Sequence, residues 1–142
     1  MFKEAKKHGY GVWKKSVTDP NTNYYQGEYF DDLKQGRGEF YWSSGGHYVG
    51  GYFNDFKHGF GIVTWADGSY FKGTWSRGIQ NGIGIMSFFN GVRRAGFFKD
   101  NVLYKLLTDE SMIEEFERNN NEKLPYEFKK ELVQCINELV SQ

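Results

Sequence analysis

The sequence predicts a mainly β chain, built from repeated two-strand units and closed by one or two α-helices. Three observations carry that expectation: a 23-residue period in glycine and aromatic residues, Asp-Gly turn chemistry inside the period, and a change to helical spacing after Leu107.

The anchor of the period is x-x-Gly-x-aromatic. It recurs as YQGEY (residues 25–29), YVGGY (48–52), FKGTW (71–75) and, degraded, RAGFF (94–98), so Gly27, Gly50, Gly73 and Gly96 stand 23 residues apart. Nine and eleven positions after the first three anchors comes Gly-x-Gly: Gly36/Gly38, Gly59/Gly61 and Gly82/Gly84. Gly45, Gly68 and Gly91 stand five residues before an anchor. Gly9/Gly11 extend the frame backwards, with Phe2 at the aromatic position, and KKSVTDPNTN (14–23) carries an insertion of about four residues. The register thus opens inside a repeat: either the native chain begins with a half repeat or the sequence is a fragment.

Each unit reads as two short strands. The first spans the anchor, a turn follows at NDFKH or SRGIQN, the second begins at Gly-x-Gly, and ADGS closes the unit. Strand alternation puts Tyr48, Gly50 and Tyr52 on one face, and likewise Phe71, Gly73 and Trp75. In the second strands Gly59, Gly61, Val63 and Trp65 share a face, as do Gly82, Gly84, Met86 and Phe88. Glycine within a strand marks close approach, and a ring lying flat on a sheet needs a neighbour without a side chain. Rings are therefore expected to tile over the glycines.

From Thr108 the period becomes helical. TDESMIEEFERNNN (108–121) has Thr108 or Asp109 as N-cap, acidic residues in its first turn and Met112, Ile113 and Phe116 at helical spacing. Pro125 opens PYEFKKELVQCINELV (125–140), in which Phe128, Leu132, Cys135, Ile136 and Leu139 form one apolar stripe. Two placements follow. The helices cap the last strand, matching the apolar FFKDNVLYKLL (97–107), or the second helix docks to another protein or chain through Phe128, Leu132 and Ile136.

Composition narrows the function. The 142 residues are 19% aromatic and include 18 glycines, with mean hydropathy −0.69. The formal charge of zero divides into 14 Lys/Arg against 9 Asp/Glu over 1–107 and 4 against 9 over 108–142, a basic body with an acidic tail. The single Cys135 permits no internal disulfide, and the first residues carry no apolar secretory stretch, so a cytoplasmic protein is expected.

Catalytic chemistry finds no spacing to support it. His8 and His58 precede Gly-x-Gly pairs where Gln35 and Asn81 stand in other units, which makes them polar turn residues; His47 reads the same way. Cys135 lies on an apolar stripe with no histidine near it in sequence. The Gly-x-Gly pairs lack the strand-to-helix context of a phosphate cradle, and Asp31-Asp32 and Asp67-Gly68 match turns, not a calcium loop. The expectation is no enzyme, no cofactor, no metal and, with so modest a basic excess, no nucleic acid. A row of Tyr25, Tyr29, Tyr48, Tyr52, Phe71 and Trp75 on one face is instead expected to stay partly accessible as a track for a protein partner.

The residues of YVGGYFNDFKHGFGIVTWADGSYFKG (48–73) carry a resemblance to the MORN repeat, whose pattern is Tyr-x-Gly-x-aromatic, a polar turn, Gly-x-Gly and Asp-Gly. The resemblance covers about residues 2–100. It implies an elongated single-layer antiparallel array of β-hairpins, here over 1–107, followed by the helical tail 108–142. Thr22, Arg94, Lys105 and Leu107 depart from the pattern, so the array fades at its end. The resemblance also implies a scaffold that binds a protein segment or a second copy within a cytoskeletal, ciliary or membrane-associated assembly. The alternative is peripheral binding of anionic phospholipid through Lys6-Lys7, Lys14-Lys15 and Arg93-Arg94. Similar repeats also accompany lipid kinases and lysine methyltransferases, but nothing here resembles either catalytic domain.

Overall fold

The computed structural model describes residues 8–141, so Phe2 and Lys6-Lys7 lie outside the described residues. Among the described residues nine antiparallel strands form one open sheet in chain order: β1 (Gly9–Lys14), β2 (Tyr24–Phe30), β3 (Leu33–Tyr41), β4 (His47–Phe53), β5 (Phe56–Thr64), β6 (Tyr70–Ser76), β7 (Ile79–Ser87), β8 (Arg93–Lys99) and β9 (Val102–Leu106). Helices α1 (Ser111–Asn120) and α2 (Tyr126–Val140) follow.

Two kinds of turn alternate along the sheet. On one side the strands join through two-residue turns, Asp31-Asp32, Asn54-Asp55, Arg77-Gly78 and Asp100-Asn101, and both residues of each pair have positive φ. That is the geometry whose twist matches paired strands, and Asn, Asp and Gly tolerate it best. The second strand of each unit therefore starts three residues before its Gly-x-Gly, at Phe56 and Ile79, where a longer turn was expected. On the other side three loops share one bonding pattern: Trp65 N–H donates to the Ser69 carbonyl (2.8 Å) and Gly68 N–H to the Trp65 carbonyl (2.9 Å), and the loops at Trp42–Gly46 and Phe88–Val92 repeat it. Gly45, Gly68 and Gly91 take the left-handed position there (φ 108°, 90° and 89°).

The register aligns eight further glycines into one row across the sheet: Gly11, Gly27, Gly38, Gly50, Gly61, Gly73, Gly84 and Gly96 face one another strand by strand. A Cβ on Gly61 would lie 2.5 Å from a Tyr48 ring carbon, and one on Gly84 at 2.5 Å from Phe71, so the rings do tile over them. This accounts for only the second glycine of each pair. Gly59 has open space where its Cβ would be and φ of +75°, and Gly9, Gly36 and Gly82 share the positive φ, so the first glycine serves backbone conformation.

The rings form the first of two cores, with Tyr25, Tyr48 and Phe71 fully buried. Edge-to-face contacts chain them across the sheet, Tyr25 to Tyr52 at 5.2 Å and Tyr48 to Trp75 at 5.6 Å. Each first strand shifts register just after its anchor, and the freed carbonyls are used: Tyr25 Oη donates to the Glu28 carbonyl (2.9 Å) and Tyr48 Oη to that of Gly51 (2.8 Å).

The second core lies on the opposite face. There Ile83, Ile85, Ala95 and Leu107 pack with Ile113, Leu124, Phe128, Leu132, Cys135 and Ile136, and Phe60 meets Phe128 at 4.9 Å. The helices thus cover the sheet's face over β5 to β8, not the edge of β9, where Val102, Tyr104 and Leu106 stay exposed. Helix α1 has Glu110 at its N-cap, where Thr108 or Asp109 was expected; the Asp109 carboxylate, one residue earlier, accepts the Ser111 N–H (2.8 Å), and the helix stops at Asn121 with left-handed φ of 48°.

Candidate partner-binding surface

The face carrying the rings is where sequence reasoning placed a binding track. The side chains named for it are more enclosed than expected: Tyr25, Tyr48 and Phe71 are fully buried, and Tyr29, Tyr52 and Trp75 are 6–7% exposed. The correction has a simple cause. Rings seated on bare backbone need no second layer to lose their water, because neighbouring rings and lysine stems close over them. What this face offers outward is the next shell, chiefly Phe40, Trp42, Phe56, Lys34 and Lys57. The tail residues Phe128, Leu132 and Ile136 are likewise buried, against the chain's own sheet.

Lys34 and Lys57 occupy one repeat position, paired across the hairpin with Tyr29 and Tyr52. Lys34 Nζ lies 5.4 Å from the Tyr25 ring centre and 3.7 Å from an Asp55 carboxylate oxygen. Lys57 Nζ lies 5.5–5.6 Å from three ring centres, those of Trp42, Tyr48 and Trp75. Burial, and secondarily the charge of Lys34, holds the Lys57 amine below the ordinary lysine range. In the third unit this position is Gln80, 6% exposed, so the row of cations ends at Lys57. A cavity of 180 Å³ opens among Lys34, Phe40, Trp42, Asp55, Phe56 and Lys57. The repeat alignment carried a signal for this site, since Lys34 and Lys57 sit seven residues after successive anchors.

The opposite face is locked by ionic contacts to α2. Glu131 accepts hydrogen bonds from Tyr70 Oη (2.8 Å), Lys72 Nζ and Arg93 Nη1 (3.1 Å), and Arg93 also pairs with Glu138. Burial alone would raise the Glu131 carboxyl, but the bonds from Lys72 and Tyr70 hold it below its ordinary value. Sequence reasoning missed this docking face, although its residues were legible: the positions Arg37 and Glu39 of the first unit become Phe60 and Ile62, then Ile83 and Ile85. Beyond the helices, over β2 to β4, the same face carries a stack of Tyr24 on Tyr41 (4.7 Å) and Tyr41 on His47 (5.3 Å).

The histidines serve packing in this geometry. His8 Nδ1 accepts the Asp31 N–H (3.1 Å), His58 meets Phe53 at 5.7 Å, and both His47 and His58 lie in strands where turns were expected. Among the described residues there is no group of three or more His, Cys, Asp or Glu that could hold a metal ion. Cys135 is buried, and that burial pushes its thiol up to about 11.

The glycine row, the ring row and the paired turns recur in step with the matches of one family model, the MORN repeat, at residues 1–16, 25–47, 48–70 and 71–93. The chain belongs to the MORN repeat family. Three of the matched segments begin at Tyr25, Tyr48 and Phe71, the rings seated on glycine, and the match ends at Arg93, the first residue of the β8–β9 hairpin, which keeps the architecture without the pattern. MORN repeats are generally interaction or membrane-associated modules, and proteins built from them are generally non-enzymatic scaffolds. No curated protein sequence matches this MORN chain. Among the described residues no helix is long and apolar enough to cross a membrane.

Proposed function

We propose that this MORN chain is a non-enzymatic interaction module that holds a segment of a partner protein along its ring face, as a subunit of a larger assembly. The observation that carries the reading is the asymmetry of the sheet. One face is covered by the chain's own helices over β5 to β8, while among the described residues no element covers the ring face, which presents Phe40, Trp42 and Phe56 around a cavity. Aromatic residues around a recess are the usual anchors of a protein interface. The tail belongs to the module's stability in this reading, because its stripe is already in use.

Lipid binding through the basic body is less well supported. Arg93, one of the residues that reading requires, is engaged by Glu131 and Glu138.

The test is a crosslinking pull-down from native cells under mild lysis, with crosslinks read by mass spectrometry. A stoichiometric protein partner joined at Lys34 or Lys57 is the expected result. Crosslinks confined to Lys129 and Lys130 on α2, or recovery of the protein with membrane vesicles alone, would overturn the ring-face assignment.

A further inference from the structure

The groove of the ring face contains a cation, Lys57, that no carboxylate of the described residues pairs with. Lys34 is answered by Asp55 at 3.7 Å, but among the described residues no carboxylate lies within 4.0 Å of Lys57 Nζ. Its surroundings are instead three rings brought together from the β3 end (Trp42), β4 (Tyr48) and β6 (Trp75). Taking an ammonium partly out of water is unfavourable; ring faces return some of the lost hydration, and an anion returns more. The rings also hold the amine at one place, so an incoming anion need not order it.

We propose that Lys57 anchors a carboxylate side chain of the partner segment, an Asp or Glu flanked by apolar residues that rest on Phe40, Trp42 and Phe56. This rests on the ring-face reading above and gives the partner its chemistry: a short acidic and apolar motif with its acid at one defined point. The point is single because the repeat position before Lys57 is already paired and the one after it is the neutral Gln80. A peptide fits better than a lipid surface. The cavity measures 180 Å³, enough for a side chain, and Asp55, which also lines it, opposes an array of anionic headgroups more than it opposes one carboxylate.

The full chain is immobilised and panned with a random peptide display library, with Phe56→Ser as the counter-selection that defines ring-face binders. The expected binders are enriched in Asp or Glu beside apolar residues. Synthetic versions should lose roughly tenfold in affinity on Lys57→Met, the scale of one charge-assisted hydrogen bond. Lys57→Arg should restore most of that loss, Lys130→Met should change nothing, and added salt should weaken binding. Replacing the peptide's acid by its amide must reproduce the loss on the unaltered protein, which keeps the test valid even if Lys57→Met folds poorly. Ring-face binders without acidic enrichment, or indifferent to both changes, overturn the Lys57 assignment and leave the ring-face reading standing. A library yielding no peptide sensitive to Phe56→Ser overturns both.

Discussion

Tyr48 Oη donates to the carbonyl of Gly51 at 2.8 Å, and its ring stands where a side chain on Gly61 would be. One residue thus satisfies a carbonyl freed by a strand irregularity and covers the glycine of the next strand. Gly61→Ala should therefore cost about 3 kcal/mol, at the upper end of overpacking effects. Gly68→Ala has open space for its methyl and only an unfavourable φ of +90°, so about 1 kcal/mol is expected. Urea melts of the two variants check the ranking, and a Gly68 cost equal to that of Gly61 would contradict ring tiling.

The hydroxyl can be separated from the ring. Tyr48→Phe should lose about 1 kcal/mol, the usual worth of a neutral hydrogen bond, because it removes the Tyr48 Oη donor to the Gly51 carbonyl and leaves the ring in place. Phe71, at the same repeat position, has no hydroxyl, so Phe71→Leu tests the ring alone and should cost more than Tyr48→Phe. Chemical denaturation of both gives the comparison.

The docking of α2 predicts that tail and sheet melt together. Leu132 is fully buried and Ile136 is 7% exposed against β7 and β8. Leu132→Ala should lose about 3 kcal/mol, and Leu132→Asp or Ile136→Asp should lose more, since an unpaired charge is buried as well. Circular dichroism followed at a helical and at a strand wavelength should show one shifted transition. Two separate transitions, with the strand signal unchanged, would mean the tail does not support the sheet.

Glu131 links that docking to pH. Its folded value lies below the ordinary carboxylate value of about 4.3, so its contribution is fully present above that value and is lost as pH falls through the depressed one. At neutral pH Glu131→Gln should cost about 2 kcal/mol, as Lys72 and Arg93 lose a charged acceptor. Melting of wild type and variant across pH 7 to 3 should show the gap narrowing below about pH 4. A constant gap would assign the loss to packing instead.

Cys135 should be inert in the folded protein. Its thiol is buried and raised to about 11, so little thiolate exists at pH 8 to attack a disulfide reagent. Reaction with a chromogenic disulfide should appear only with unfolding, and its rate should rise in Leu132→Ala. Rapid labelling of the native chain would place the thiol outside the core described here.

The sequence by itself determined the repeat, the order of the hairpins, the ring-on-glycine packing and the existence of both helices. These are local properties: a period, a strand alternation and a turn dipeptide act within one 23-residue unit and its neighbour. Even the underestimated strands at Phe56 and Ile79 were local, since the Asn54-Asp55 and Arg77-Gly78 pairs were in view. Tertiary structure alone decided what faces outward. Whether the α2 stripe covers an edge, a face or another chain depends on contacts such as Tyr70 to Glu131, made 61 residues apart. Which rings keep their water depends on how closely neighbouring units stack, and the box around Lys57 exists only because the loop after β3 and strands β4 and β6 bring Trp42, Tyr48 and Trp75 to one point. Burial and charge pairing are sums over neighbours that a linear pattern does not specify, and the candidate site is made of those two quantities.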